Sequence, residues 1–310
     1  MACTLALAST VRAEQSGSGH YISGATASFI DAFPGQPGFG AENIFFYYNN
    51  ANANASRGLP LGGNIALNVD ASAYADTSLI WYQAPLDILG GSPVFAVAIP
   101  YVWAKVSASG VIDTRLGSTS PSRSDTANGI GDIEFWPVWL GWTNGDFKYD
   151  VRCAVYAPSG EYNQSDLANV GLGYWTFEPE LTFSWLSSKI GTEVSVFAGL
   201  DFNTKNTDAD YQSGDIFHLD ATVAQHLPLL GGFAGVGANG FYFKQFTGDS
   251  GSGAKLGSFM AESYGVGPVG SYTRKIGKTQ LVFEAKWLPQ MHVESTLKGN
   301  FIWAKLALLF

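Results

Sequence analysis

Apolar and polar residues alternate with a period of two along most of this chain, the spacing of a β-strand with two unlike faces. In "YWTFEPELTFSW", Trp175, Phe177, Pro179, Leu181, Phe183 and Trp185 share one face. Thr176, Glu178, Glu180, Thr182 and Ser184 share the other. "TEVSVFAGLDFN" sets Val194, Val196, Ala198, Leu200 and Phe202 against Glu193, Ser195, Phe197, Gly199, Asp201 and Asn203. "IFHLDATVAQHL" sets Phe217, Leu219, Ala221 and Val223 against His218, Asp220 and Thr222. "GIGDIEFWPVWLGW" places Ile133, Phe135, Pro137 and Trp139 opposite Asp132, Glu134 and Trp136. Twelve such runs follow residue 40, near 41–52, 64–83, 93–108, 129–142, 146–158, 172–186, 191–204, 214–227, 232–246, 261–275, 278–290 and 299–310. The ninth, "GGFAGVGANGFYFKQF", is ambiguous in parity.

The connections sort by parity. Those after even-numbered runs are mostly tight ("TNGD", "LSSKIG", "PLLGG", "KIGK"). Those after odd-numbered runs are mostly longer and rich in Gly, Ser, Asp and Asn ("ANASRGLPLGG", "SGVIDTRLGSTSPSRSDTAN", "SGEYNQSDLANVG", "TGDSGSGAKLGSFM"). Short turns at one rim and long loops at the other are the pattern of an outer-membrane barrel. A β-sandwich has no reason to sort its loops this way. The spacing therefore predicts an all-β chain forming a single closed antiparallel transmembrane barrel of about 12 strands over 41–310, with both termini at the short-turn rim. In the last run Ile302, Ala304, Leu306, Leu308 and Phe310 share the face expected to meet lipid, and the run is expected to pair with "AENIFFYYNN" so that no edge remains.

Composition agrees. Charged residues make up 14% of the chain, against roughly 25% in soluble proteins. Aromatics make up 14%, and mean hydropathy is only +0.06. There is no uncharged apolar run of about 18 residues, which a spanning helix requires. The net charge of −9 argues against a nucleic-acid partner. The start, "MACTLALASTVRAEQ", reads as the later part of a secretory signal peptide over residues 1–13, with its basic portion lying upstream. That leaves Cys153 as the single cysteine of a mature chain and predicts no disulfide. Residues 14–40, neither strongly charged nor periodic, are expected to lie in the lumen as a partial plug or at the periplasmic rim.

Little in the sequence suggests covalent chemistry. No Cys/His cluster has metal-ligand spacing, and no cofactor is predicted. "GIGD" is not followed by a helix and is not a phosphate loop. By parity Asp132, Glu134, Asp150, Glu178, Glu180, Glu193, Asp201, Asp220 and Glu284 point inward, with Lys148, Arg152, Lys286 and Lys305 as possible partners. Such charges either brace a filled lumen or line an aqueous path. The inward aromatics Trp136, Tyr156 and Phe197 suit a path for apolar solutes, or fill space. The expected path-lining set is Asp132, Glu134, Trp136, Tyr156, Glu178, Glu180, Asp201 and His218. Loops near 109–128 and 159–171 are expected to form the outer mouth.

"GIGDIEFWPVWLGW", then "VYAPSGEYNQSDLANVGLGYWTFEPELTFSW" and "DFNTKNTDADYQSGD", resembles the transporter family associated with the meta-pathway of phenol degradation. Pro158, Gly160, Tyr162, Asn169, Gly171 and Trp175 match one part of its pattern, and Asn203, Asn206, Tyr211, Ser213 and Gly214 another. The resemblance covers the chain from about residue 40 onward. It implies a channel in the outer membrane of a Gram-negative bacterium for passive uptake of small hydrophobic or aromatic compounds, without enzymatic activity. A terminal Phe310 also resembles the signal read by the outer-membrane assembly machinery. Two alternatives stand beside it: a structural or adhesive barrel with a filled lumen, and an outer-membrane hydrolase using His218.

Overall fold

Sixteen strands form among the described residues: β1 (Gly38–Asn50), β2 (Ala53–Leu61), β3 (Asn64–Gln83), β4 (Ser92–Ser109), β5 (Ile112–Thr114), β6 (Gly117–Thr119), β7 (Ser122–Ile130), β8 (Ile133–Asn144), β9 (Phe147–Ala157), β10 (Thr176–Leu186), β11 (Thr192–Asn203), β12 (Ile216–Leu229), β13 (Gly232–Gln245), β14 (Glu262–Ile276), β15 (Thr279–Glu294) and β16 (Gly299–Leu309). They are seen in a computed structural model that describes residues 19–50, 53–61, 64–109, 112–114, 117–119, 122–254 and 257–310. Side chains within 50–68 and 109–121 are not among those described. The leader expected over 1–13 lies outside the described residues.

Each barrel strand pairs antiparallel with its neighbours, and β1 pairs with both β16 and β3, so the sheet closes. β7 and β8 both pair with β4 and are two halves of one wall strand, interrupted at Gly131–Asp132. With those halves joined, the wall has twelve strands, as the alternation predicts. β2 extends the hairpin above β3, so the stretch 53–61, expected as a loop, is strand because it pairs back on β3, and β5 pairs with β6. The fourth wall strand begins at Ser122, not near 129. Seven residues expected in the loop 109–128 are therefore strand, because Ser122–Ile130 continues the ladder on β4.

Closure is what lets this backbone cross lipid, since a sheet closed on itself leaves no unpaired edge strand. Leu181, Val223, Phe283 and Leu306 are exposed on the outer face, while Glu178, Asp201, Asp220, Glu284 and Lys305 are buried on the inner one. Three of the five connections at the tight rim are two-residue turns. At Leu230–Gly231 both residues have positive φ, 49° and 76°, the twist a hairpin of this length needs.

Two local features depart from simple alternation. A bulge after Phe135 inserts one residue of β8 against β9, so Val138 pairs with Cys153 and Trp139 with Arg152. Pro137, which has no N–H for the ladder, lies within the inserted step. Beyond it the parity flips: Val138 faces out, and Trp139, expected outside, is buried in the lumen. In β13, Asn239, Phe241, Phe243 and Gln245 face inward and Val236, Ala238 and Tyr242 outward. Both faces carry aromatics, which is why the sequence left its parity open.

Candidate functional site

The lumen is filled unevenly. Around β1, β3 and β13–β16 the inner face carries an apolar cluster in which Phe46, Ala75, Phe241, Leu288, Phe301 and Trp303 pack together, with Glu42, Glu284, Lys286 and Lys305 also buried on these strands. Around β8–β12 it is charged. Residues 19–37 run between these halves, from the level of Asp201 and Thr176 down to the rim where β1 starts.

This segment is tied to the wall at many heights. His20 bonds Thr176 through Nδ1 (2.7 Å) and Asp132 through Nε2 (2.9 Å). Asp220 accepts from the Tyr21 hydroxyl and from the Gly24 amide (2.9 Å). Trp303 Nε1 donates to the Ser23 carbonyl (3.2 Å). Ser28 donates to Glu284, and the Phe29 amide donates to Glu193 (2.7 Å). Lys305 reaches the Ala25 carbonyl and the Asp31 carboxylate, and Lys148 the Pro34 carbonyl (3.0 Å). Asp132, Glu193, Asp220 and Glu284 thus each hold the chain that occupies the lumen. A charge buried among such partners is compensated, where a bare one would be costly.

Asp132 also organises a loop. Its Oδ1 accepts from the Gly160 amide (2.9 Å) and its Oδ2 from the Leu172 amide (2.7 Å). The loop 158–175 is thereby folded onto the interrupted wall strand. Its limbs touch at Gly160 and Gly171, where a Cβ on Gly171 would lie 2.5 Å from the Gly160 carbonyl oxygen. Asn169 bridges the same limbs through Asn163 (2.7 and 3.2 Å). In the next loop Asn206 bonds the Leu172 carbonyl (2.9 Å), and Asn203 bonds that of Gly214 (2.9 Å). The Gly, Asn and Asp residues quoted from both motifs are therefore loop-folding residues.

Two cavities flank the plug. The outer one, about 340 Å³, lies between the 162–172 part of the loop and the apolar wall. The inner one, about 170 Å³, is lined by Trp81, Trp136, Trp139 and Trp303 together with carboxylates. Tyr21 lines both. Of the set expected along a path, Glu134, Trp136, Tyr156, Glu178 and Glu180 line the inner cavity, whereas Asp132, Asp201 and His218 line neither. Glu178 accepts from the Tyr156 hydroxyl (2.9 Å), and Glu180 pairs with Arg152 (3.1 Å), whose guanidinium lies over the Trp139 ring. Sequence reasoning missed His20, Tyr21 and Asp31, which lie in a stretch without periodicity. It also missed Glu42, buried on β1.

The family model for the putative MetA-pathway of phenol degradation matches residues 48–306. The chain belongs to that family. Its structure is similar to that of the COG4313 outer membrane channel of Pseudomonas putida F1, with a TM-score of 0.60 and 14% identity, covering 89% of this chain and 97% of that one. The beta domain of the Bordetella autotransporter BrkA gives 0.46 at 13% identity, covering 88% of this chain and all of that one. No curated protein matches the chain. A closed barrel with an apolar exterior is the architecture of bacterial outer-membrane proteins, and this member of the family is one.

Proposed function

We propose that the barrel conducts small hydrophobic or aromatic molecules passively across the outer membrane. The observation that carries this reading is the outer cavity of about 340 Å³, walled by Phe46, Tyr48, Val69, Phe243, Leu297 and Phe301. An apolar cavity of about 150 Å³ accepts benzene. The outer chamber therefore has room for a one- or two-ring solute, and the inner chamber, about 170 Å³, for a single ring. The inner lining places aromatic faces beside Glu134, Arg152 and Glu178, which suits a ring that carries a hydroxyl. The family's description, which refers to phenol degradation, supports the same solute class.

Tyr21 is the constriction in this reading, because it lines both chambers while its hydroxyl is held by Asp220. In liposomes, phenol and toluate should enter faster than a small sugar, and Tyr21→Ala should raise aromatic flux severalfold. The pinned segment 19–37 favours a second reading, a filled structural barrel. Absence of flux for every solute, in wild type and Tyr21→Ala alike, would sink the channel and leave that one. His218, on which a hydrolase reading would depend, faces the carboxylates of Glu178 and Asp201.

A further inference from the structure

Glu178, Asp201 and His218 come from three successive wall strands, β10, β11 and β12, and all three are buried. They meet because of one glycine. His218 is paired with Gly199 on β11, and a Cβ there would lie 2.3 Å from the imidazole Nε2. The ring lies over the bare backbone of Gly199 and reaches across β11 to Glu178. Tyr21 stacks on its other side with centroids 3.7 Å apart.

The polar atoms of this cluster are poorly satisfied. His218 Nε2 is 3.2 Å from Glu178 Oε1 and 3.5 Å from Asp201 Oδ1, yet neither contact has hydrogen-bond geometry. Both oxygens of Asp201, which has no solvent exposure, lack a hydrogen-bond partner. Nε2 carries at most one hydrogen and faces two carboxylates, so a proton satisfies one of them at a time. A cation between them satisfies both.

We propose that Glu178, Asp201 and His218 hold a divalent transition-metal ion of the Zn²⁺ class within the barrel. With metal–ligand bonds of about 2.1 Å, ligand atoms at the corners of a tetrahedron are roughly 3.4 Å apart. The two contacts to Nε2 have that spacing, and all three ligand atoms lie within 4.8 Å of one another. One imidazole with two carboxylates favours Zn²⁺, Co²⁺ or Ni²⁺ over Ca²⁺ and Mg²⁺, which take oxygen shells. Three protein ligands leave a fourth position for water. A dication also offsets a charged half of the lumen in which carboxylates outnumber Arg152. The site lies beside both chambers: Glu178 lines the inner one, and Gly19, adjacent to Asp201, lines the outer. This inference does not depend on the channel reading.

The test is Zn²⁺ binding to tag-free, EDTA-stripped protein in detergent, measured by calorimetry, with folding checked by the gel shift that a heated barrel shows. Wild type should bind one ion per chain. Asp201→Asn, His218→Ala and Gly199→Ala should each weaken binding by at least roughly tenfold, while His292→Ala should leave it unchanged. No stoichiometric binding by folded wild type, or binding unaltered by Asp201→Asn and His218→Ala, overturns the proposal. If a variant does not fold, Co²⁺ added to wild type decides. Intense visible absorption supports a tetrahedral N/O site, and the weak spectrum of the aqueous ion refutes it.

Discussion

Replacing Lys305 by Met should loosen the chain inside the lumen. The Lys305 ammonium is 1% exposed and the Asp31 carboxylate 6%, so neither charge has water to fall back on. Lys305 also bonds the Ala25 carbonyl. Removing one partner of a buried pair costs about 3–5 kcal/mol. Asp31 would keep the Ala27 amide (2.8 Å) and the Ser28 amide (3.2 Å), both on Oδ2, leaving Oδ1 bare. Those bonds put the cost at the low end, about 3 kcal/mol. If the seated and released states of residues 19–37 exchange, that shifts their ratio roughly a hundredfold. Single-channel recording in planar bilayers should show the open fraction rising by that order in Lys305→Met. The double variant Asp31→Asn/Lys305→Met removes both charges of this pair, so neither is left without the other, and should return most of the way to wild type. A folded Lys305→Met barrel that gates like wild type, or a double variant as open as the single one, would show that this ion pair does not seat the segment.

Further predictions concern the outer loops. Asp132→Ala removes the acceptor of the Gly160 and Leu172 amides, and Gly171→Ala blocks the contact with Gly160, so each should expose 158–175. Chymotrypsin should then cut near Tyr162 in both variants while sparing wild type; equal resistance would refute the pinning role. Hydrogen bonds from Lys205 and Ser252 pull the Asp210 carboxyl down from 3.8 to about 2. A depressed carboxylate contributes fully above its unfolded pKa and loses its contribution as pH falls through the folded value. The clamp between 205–210 and 252 should therefore hold at pH 5 and open only near pH 2, as read by proteolysis; opening between pH 7 and 5 would contradict the assignment.

Much of the barrel follows from the sequence alone, because a period of two with one face in lipid admits few registers. The faces of β10, β11, β12 and β16 and the sorting of short and long connections were legible residue by residue. So was the inward direction of Asp132, Glu178, Glu180, Asp201 and His218. Trp139 was not, since a one-residue bulge beside Pro137 reverses every face beyond it and leaves only a proline as a clue. The seating of His20, Tyr21 and Asp31 was not either, because a non-periodic segment finds its place through partners more than a hundred residues away. The convergence of Glu178, Asp201 and His218 depends on strand register and on the missing side chain at Gly199. Alternation says which way a side chain points. Only the closed sheet decides which others it meets there.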